Sequence, residues 1–179
     1  MGQKLTDRAA LEQQAGSGDL LMVVDVNDTQ GSPEGTSKQM DFKYVIQTDK
    51  ISVTSAEFQA MDSTGGAGTF RLLANGPGAG YGFILLSALI ETHYTSAESS
   101  NKNLYIGYDS SSVIEFIGTI GRFMSGKTAD TAYQIKYMAS GTAILDGSIE
   151  NKPLVLYTNG TLNGTYSADV YITYQVVQL

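Results

Sequence analysis

The stretch Val170-Tyr-Ile-Thr-Tyr-Gln-Val-Val177, near the C-terminal end of the sequence, decides the fold class. It consists almost entirely of β-branched and aromatic residues, which are enriched in β-strands. No glycine or proline interrupts it, so nothing in it signals a turn. It predicts a β-strand, and the residues before it repeat the same kind of pattern.

About eight to nine short strands with turn signals between them are predicted after residue 48, a spacing typical of β-sandwiches. The longest, 81–95, is expected to bend near Ser87 or Ala88, and one or two helical turns are expected at 55–61. We therefore predict an all-β, jelly-roll-like β-sandwich over 49–179. The predicted strands are 51–53, 70–73, 81–95, 104–108, 113–117, 133–137, 143–145, 154–157 and 168–177.

The first 48 residues form a different kind of segment. Residues 5–14 are expected to form a short helix, 20–26 a strand that is apolar on both faces, and 40–46 a strand with one polar face. One helix and two strands cannot bury much surface alone. We interpret residues 1–48 as an attachment and oligomerisation segment. Its candidate interface residues are Leu11, Leu20, Leu21, Met22, Val23 and Val24.

Charge and cysteine content exclude several classes of partner. The net charge is −7, which disfavours nucleic-acid backbones and anionic membrane surfaces. With no cysteine, disulfides and thiolate metal sites are impossible, so oligomerisation is the expected source of extra stability. The longest apolar run, 83–90, is too short to span a bilayer, and no signal peptide is recognised at the N-terminus. We expect synthesis in the cytoplasm and no membrane insertion.

One stretch matches the phosphate-binding P-loop pattern literally. Gly121-Arg-Phe-Met-Ser-Gly-Lys-Thr128 fits G-x-x-x-x-G-K-[ST]. In a true site the loop follows a buried parallel strand and opens a helix. Here the residues that follow alternate with a period of two, and no βαβ units are recognisable, so a glycine-rich loop between two strands is the favoured interpretation. A P-loop NTPase is kept as an alternative.

Other catalytic arrangements have little support. His93 is the only histidine, and its alternating surroundings predict an outward-facing strand residue. No G-x-S-x-G motif accompanies it. Paired carboxylates of the glycosidase type stay open, because the candidate acids are scattered along the chain. These acids are Asp62, Glu91, Glu98, Asp109, Glu115 and Asp146.

The tyrosines are the candidates for a sugar-binding face, because aromatic rings stack on pyranose rings. Tyr105 and Tyr108 are three residues apart and point to opposite faces of a strand, whereas Tyr133 and Tyr137 share a face. Burial in the core or in a subunit interface is the simpler interpretation. These four tyrosines are the candidate glycan-facing residues.

The N-terminal segment resembles the attachment segment that recurs in tailed-bacteriophage fibre and appendage proteins. The stretches concerned are Ser17-Gly-Asp-Leu-Leu-Met-Val-Val-Asp-Val-Asn-Asp-Thr29 and Gly35-Thr-Ser-Lys38. The second block is similar to small phage virion proteins in Val53-Thr-Ser-Ala-Glu57, Gly76-Pro-Gly-Ala-Gly80, Leu104-Tyr-Ile106 and Asp169-Val-Tyr-Ile-Thr-Tyr174. The resemblance implies a role on the virion surface as a trimer, and it implies no cofactor and no catalytic residues.

The sequence thus leads to three hypotheses. The first is a non-enzymatic structural protein of a bacteriophage particle, in which residues 1–48 bind other capsid or tail proteins and the β-domain forms a homotrimer. The second is a module that binds glycans on the host surface. The third is an enzyme, either an NTPase that depends on Lys127 or a glycosidase that uses two of the scattered acids.

Overall fold

The computed structural model describes residues 20–25, 36–41, 46–61, 70–110, 113–136 and 149–179. The chain divides into two compact units, Met1–Val45 and Ile46–Leu179. The join expected at residue 48 therefore lies inside the first strand of the larger unit, which spans Gln47–Val53.

In the smaller unit, two strands pair in an antiparallel sheet. β1 spans Leu20–Asp25 and β2 spans Thr36–Asp41, with Leu20 opposite Asp41 and Asp25 opposite Thr36. The apolar strand predicted at 20–26 is confirmed. The second strand begins earlier than predicted, and the helix predicted at 5–14 lies outside the described residues.

The larger unit contains eight strands and one short helix among its described residues. In chain order these are β3 Gln47–Val53, α1 Ser55–Ala60, β4 Arg71–Ala74, β5 Tyr81–Tyr94, β6 Leu104–Ser110, β7 Val113–Ile120, β8 Thr131–Lys136, β9 Leu154–Thr158 and β10 Tyr166–Gln178. The short strand predicted at 143–145 falls outside the described residues.

These strands form two four-stranded antiparallel sheets with the strand orders β3-β10-β5-β8 and β4-β9-β6-β7. Among the consecutive strands of the larger unit, β6 and β7 are the one pair that lies in the same sheet, where they pair with each other. All other consecutive strands cross from one sheet to the other. This is the eight-stranded jelly roll, which consists of two Greek keys, and the predicted fold class is confirmed.

The core lies between the two sheets. In β10 every second residue is buried, from Tyr166 through Val176, as expected for a strand with one covered face. β9 is different because all five of its residues are buried. The two sheets approach closely where Gly118 of β7 meets Ile135 of β8, and a Cβ atom at position 118 would collide with Ile135 Cγ2.

Two local features follow directly from the sequence. α1 begins with a capping box, in which Thr54 Oγ1 accepts from the Glu57 N–H and the Glu57 carboxylate accepts from the Thr54 N–H at 2.7 Å. β5 bends at a bulge, because Ser87 lies opposite Thr173 while Leu85 lies opposite Tyr174, which leaves Leu86 as the extra residue. The bend predicted near Ser87 is confirmed.

Candidate functional site

The candidate attachment residues lie largely in β1. Leu20, Leu21, Met22, Val23 and Val24 form this strand, and Leu11 lies outside the described residues. The sequence of β1 is apolar at five consecutive positions, Leu20 to Val24. A two-stranded sheet is marginally stable alone.

Three of the four candidate glycan-facing tyrosines lie in the described residues, and one of these three, Tyr108, is not on the surface. Tyr108 is buried in the core, where its hydroxyl donates to the Phe83 carbonyl, so its assignment to a glycan-facing surface is corrected. The Tyr133 hydroxyl accepts from the Met124 N–H at 3.1 Å, and burial raises its pKa. Tyr105 stacks on Tyr157 with ring centroids 5.1 Å apart. Tyr137 lies outside the described residues.

The stretch that matches the P-loop pattern connects β7 to β8 and opens no helix. Phe123 and Met124, in the middle of the pattern, are fully buried in the core, where Phe123 packs against Phe58 and Tyr166. A P-loop instead wraps phosphate with its backbone N–H groups at the start of a helix. The geometry here is that of a loop anchored by its apolar side chains.

His93 projects from the outer face of the sheet, as predicted, and its side chain is 54% exposed. Its Nε2 lies 3.5 Å from Asp169 Oδ2. Lys50 Nζ lies 2.9 Å from the same oxygen, and Ser52 Oγ donates to Asp169 Oδ1 at 2.8 Å. We refer to these four residues as the charged cluster.

The charged cluster contains serine, histidine and aspartate but not in a catalytic order. In a catalytic triad the histidine lies between serine and aspartate and takes the serine proton. Here Ser52 contacts Asp169 directly, so His93 is not placed to take its proton. The hydrogen bonds from Lys50 and then Ser52 lower the pKa of Asp169 to about 2. Among the described residues, no group of three or more histidine, aspartate or glutamate side chains could hold a metal ion.

Three loops meet at one end of the sandwich, and we refer to them as the loop end. They comprise residues 95–103, 121–130 and 159–165. The Asn103 N–H donates to Asn159 Oδ1 at 2.8 Å, and the Arg122 N–H donates to Asn103 Oδ1 at 3.0 Å. Ser125 Oγ contacts Asn101 Oδ1 at 2.7 Å. Side chains of the first and third loops therefore hold the backbone of a neighbouring loop, and the second loop contacts the first through a pair of side chains.

Glu98 is the central residue of the loop end and is only 3% exposed. Its Oε2 accepts from the Asn163 and Gly164 N–H groups at 2.9 and 2.8 Å. The Tyr166 hydroxyl also donates to Oε2, at 3.0 Å, and the Ser100 N–H donates to Oε1 at 2.6 Å. The sequence does not distinguish Glu98 from the other scattered acids, because three of its partners, Asn163, Gly164 and Tyr166, lie 65, 66 and 68 residues further along the chain.

Burial and hydrogen bonding act on the pKa of Glu98 in opposite directions. Burial alone would raise it, but hydrogen bonds from Ser100, Gly164 and Asn163 prevail and hold it below its ordinary value. For Tyr166, burial and the neighbouring Glu98 charge both raise the pKa. Glu98 is therefore an ionised group that joins two loops.

An apolar patch is exposed at the opposite end of the larger unit. Six large hydrophobic residues are exposed among the described ones, and four of them gather where β3 and β5 begin and β10 ends. Ile84 lies opposite Gln175, and Leu179 approaches Gly82. The four residues of this apolar patch are Ile46, Ile84, Leu86 and Leu179, which are 56%, 42%, 37% and 43% exposed.

No helix in the described part of the chain is long and apolar enough to cross a membrane. No protein-family model matches the sequence, and no curated protein is similar to it.

Solved structures with some similarity come from viruses. A chain in the crystal structure of Israel acute paralysis virus is 7% identical, with 96% of each chain covered and a TM-score of 0.29. A chain in a virus-like particle of the Macrobrachium rosenbergii nodavirus, from the giant freshwater prawn, is 11% identical, with 92% of this chain and 98% of that chain covered and a TM-score of 0.33. A chain in the native virion of Kashmir bee virus is 8% identical, with 96% of each chain covered and a TM-score of 0.27. With TM-scores this low, the jelly-roll assignment depends on the strand order alone.

Proposed function

We propose that this protein is a non-enzymatic structural component of a virus particle. The observation that carries the proposal is the jelly roll, a fold used by viral capsid, lectin and cupin domains. The described residues assemble no catalytic triad, and the loop that matches the P-loop pattern is anchored by buried side chains. The only histidine, His93, lies on the outer face of its sheet.

We further propose that the protein belongs to a tailed bacteriophage, as a head fibre, decoration protein or tail appendage. Residues 1–48, including Leu11 and the apolar strand β1, would bind the capsid or tail. The larger unit would face solvent on the virion surface. The run of five apolar residues in β1 supports this division of roles.

The apolar patch supports self-association of the larger unit as a homotrimer. Contiguous exposed apolar surface marks protein–protein contacts more often than scattered hydrophobic residues do. Ile46, Ile84, Leu86 and Leu179 offer such a surface to a second copy. Three-fold closure is the arrangement that the resemblance to phage appendages implies.

The mass in solution tests self-association. One chain has a mass of 19.1 kDa, so a trimer has about 57 kDa by light scattering behind size exclusion. We expect the variant Ile84→Asp/Leu86→Asp to be folded and monomeric. Thr161→Asp, at an exposed position of the loop end, is the matched control and should stay trimeric. A wild-type protein that is monomeric at all concentrations would contradict the trimer.

Attachment to a particle is tested separately. Purified particles are incubated with the wild-type protein or with Met22→Asp/Val24→Asp, sedimented, and analysed for bound protein. We expect the substituted protein to keep its larger unit folded and to lose particle binding. Normal binding of this variant would contradict the assignment of β1 to attachment.

A glycan-binding module is the alternative function. Tyr105 is the candidate with a partly exposed ring stacked on another tyrosine, an arrangement that supports sugar stacking weakly. A glycan array without signal above background, repeated with Tyr105→Ala as a reference, would remove this alternative.

A further inference from the structure

The loop end carries a concentration of positive charge on an acidic protein. Lys102 lies in its first loop, and Arg122 and Lys127 lie in its second. Among the described residues, no carboxylate lies within salt-bridge distance of these three side chains, whereas Lys50 pairs with Asp169 and Arg71 with Glu57. We refer to Lys102, Arg122 and Lys127 as the cationic group. It stands out because the whole chain has a net charge of −7.

The backbone holds the second loop in one conformation. Phe123 and Met124 are fully buried between Arg122 and Lys127, which are exposed. Arg122 and Met124 have left-handed φ angles of 50° and 59°, a conformation that non-glycine residues keep only where the surroundings enforce it. Burial of the two apolar side chains therefore directs the neighbouring cations outward.

The first loop is fixed beside the second. The Phe123 N–H donates to the Lys102 carbonyl at 2.8 Å. The Lys102 side chain passes over Gly160, where an added Cβ would lie 2.8 Å from Lys102 Cε. Ligand binding would then order few additional residues, which keeps the entropic cost of binding low.

The loop end contains two acids, Glu98 and Asp130, beside the three cations. Glu98 is turned inward and is fully engaged by the donors described above. Asp130 Oδ1 accepts from the Tyr94 N–H at 2.7 Å. Three cations and two carboxylates give the three loops a net charge of 3 − 2 = +1. Because Glu98 is buried, Asp130 is the one exposed acid among them, and the exposed charges favour an anionic ligand.

We propose that the loop end binds an anionic saccharide, with the cationic group holding its carboxylate or sulfate groups. Neutral hydrogen-bonding residues occupy exposed positions in the first and third loops and suit sugar hydroxyls; they are Ser99, Asn101, Asn159, Thr161 and Asn163. Nucleic acid fits less well, because it needs a longer basic track and exposed rings for base stacking. The rings of Phe123 and Tyr166 at this end are buried.

The test uses the full-length protein and calorimetric titration at low salt. A heparin hexasaccharide supplies sulfates, a hexamer of galacturonic acid supplies carboxylates alone, and maltohexaose is the neutral control. We expect at least one anionic hexasaccharide to bind, maltohexaose not to bind, and affinity to fall as salt is raised.

Matched variants locate the site. Arg122→Gln/Lys127→Gln removes two charges from the cationic group, and Lys50→Gln/Lys152→Gln removes two charges elsewhere. We expect the first variant to lose about tenfold or more in affinity, which is about 1.4 kcal/mol, because it removes two direct charge contacts. The second variant should change affinity by less than about twofold, since its charges lie away from the site. Thermal unfolding verifies that both variants are folded, and Lys102→Gln provides an independent third substitution.

Three outcomes would overturn the proposal. These are the absence of binding to both anionic hexasaccharides, equal loss of affinity in the two double variants, and tighter binding of a single-stranded DNA hexamer than of either saccharide. The last outcome would indicate a nucleic-acid surface instead. The titration contains no virus particles, so a failure to bind saccharide would not contradict the proposed structural role. That role is tested separately by the mass in solution and by particle binding.

Discussion

Glu98 in the loop end and Asp169 in the charged cluster are both carboxylates with lowered pKa values, but their surroundings are opposite. Glu98 is almost fully buried, and four of its donors are the Ser100, Asn163 and Gly164 N–H groups and the Tyr166 hydroxyl. The Asp169 side chain is 20% exposed and is held by Lys50, Ser52 and His93.

The comparison separates a structural charge from a surface charge. The donors to Glu98 are mostly backbone N–H groups in a buried site. Water cannot take the place of the carboxylate there, so removing the charge leaves these donors unsatisfied. The partners of Asp169 are side chains that water can solvate, so they lose little when the carboxylate is removed. Stability should therefore depend on Glu98, whereas the charged cluster is available for contacts with other molecules.

The largest effect is expected from Glu98→Gln. The amide places an NH₂ group against backbone donors and loses charge-assisted hydrogen bonds, so we expect the free energy of unfolding to fall by about 2–3 kcal/mol. Denaturant unfolding measures this value. The matched control, Asp169→Asn, should unfold near the wild-type midpoint. Equal losses of unfolding free energy in the two variants would contradict the distinction between Glu98 and Asp169.

Acid should remove the stabilisation by the Glu98 carboxylate from the wild-type protein. The pKa of Glu98 is lower in the folded chain than its ordinary value of 4.5. Its ionised form therefore stabilises the fold above that pH, and the stabilisation is lost as pH falls through the folded pKa. We expect the free energy of unfolding to decline below about pH 4.5 in the wild type and in Asp169→Asn.

The same pH series in Glu98→Gln serves as the control. Its stability should start lower and decline less, because glutamine does not take up a proton. The pKa of Asp169 is also lowered, to about 2, so ionised Asp169 stabilises the fold as well. Its contribution is lost at a more acidic pH. If all three proteins lose stability with the same slope, Glu98 is not the group responsible.

Tyr166→Phe should have an intermediate effect. It removes one donor to Glu98 Oε2 but keeps the ring that packs against Phe58 and Phe123. The two remaining N–H donors to that oxygen still satisfy it, so we expect a loss of about 1 kcal/mol in unfolding free energy. In combination with Glu98→Gln the loss should be less than additive, because both substitutions affect one hydrogen-bonded network. Full additivity would show that the two side chains are independent.

The sequence predicts the strands better than it predicts their partners. Period-two alternation marks β10, and the Thr54–Glu57 spacing marks the capping box of α1. β3 begins before the predicted start at residue 51, because Gln47, Thr48 and Asp49 are consecutive polar residues without an apolar alternation and aspartate is depleted in strands. The strand order depends on six crossings between the sheets, and no local pattern encodes them.

The loop end illustrates why the candidate site could be predicted only in part. The stretch 121–128 was recognised as a loop between strands, but its Phe123 and Met124 gave no sign of burial. Glu98 and Asn163 are 65 residues apart in the chain and meet only through the fold. Tyr108 was misplaced because alternation identifies two faces of a strand without showing which one is covered.

The smallest effect is expected from Lys50→Gln. The Lys50 side chain is 51% exposed, so its ion pair with Asp169 competes with water, and an exposed pair contributes little to stability. We expect the thermal midpoint to match that of Lys152→Gln, which removes the same charge elsewhere, and 0.5 M salt to leave the difference between the two variants unchanged. A clear destabilisation by Lys50→Gln that grows with protein concentration would mean that another copy covers this face. The charged cluster would then belong to a subunit interface, and the distinction between Glu98 and Asp169 would hold only for the single chain.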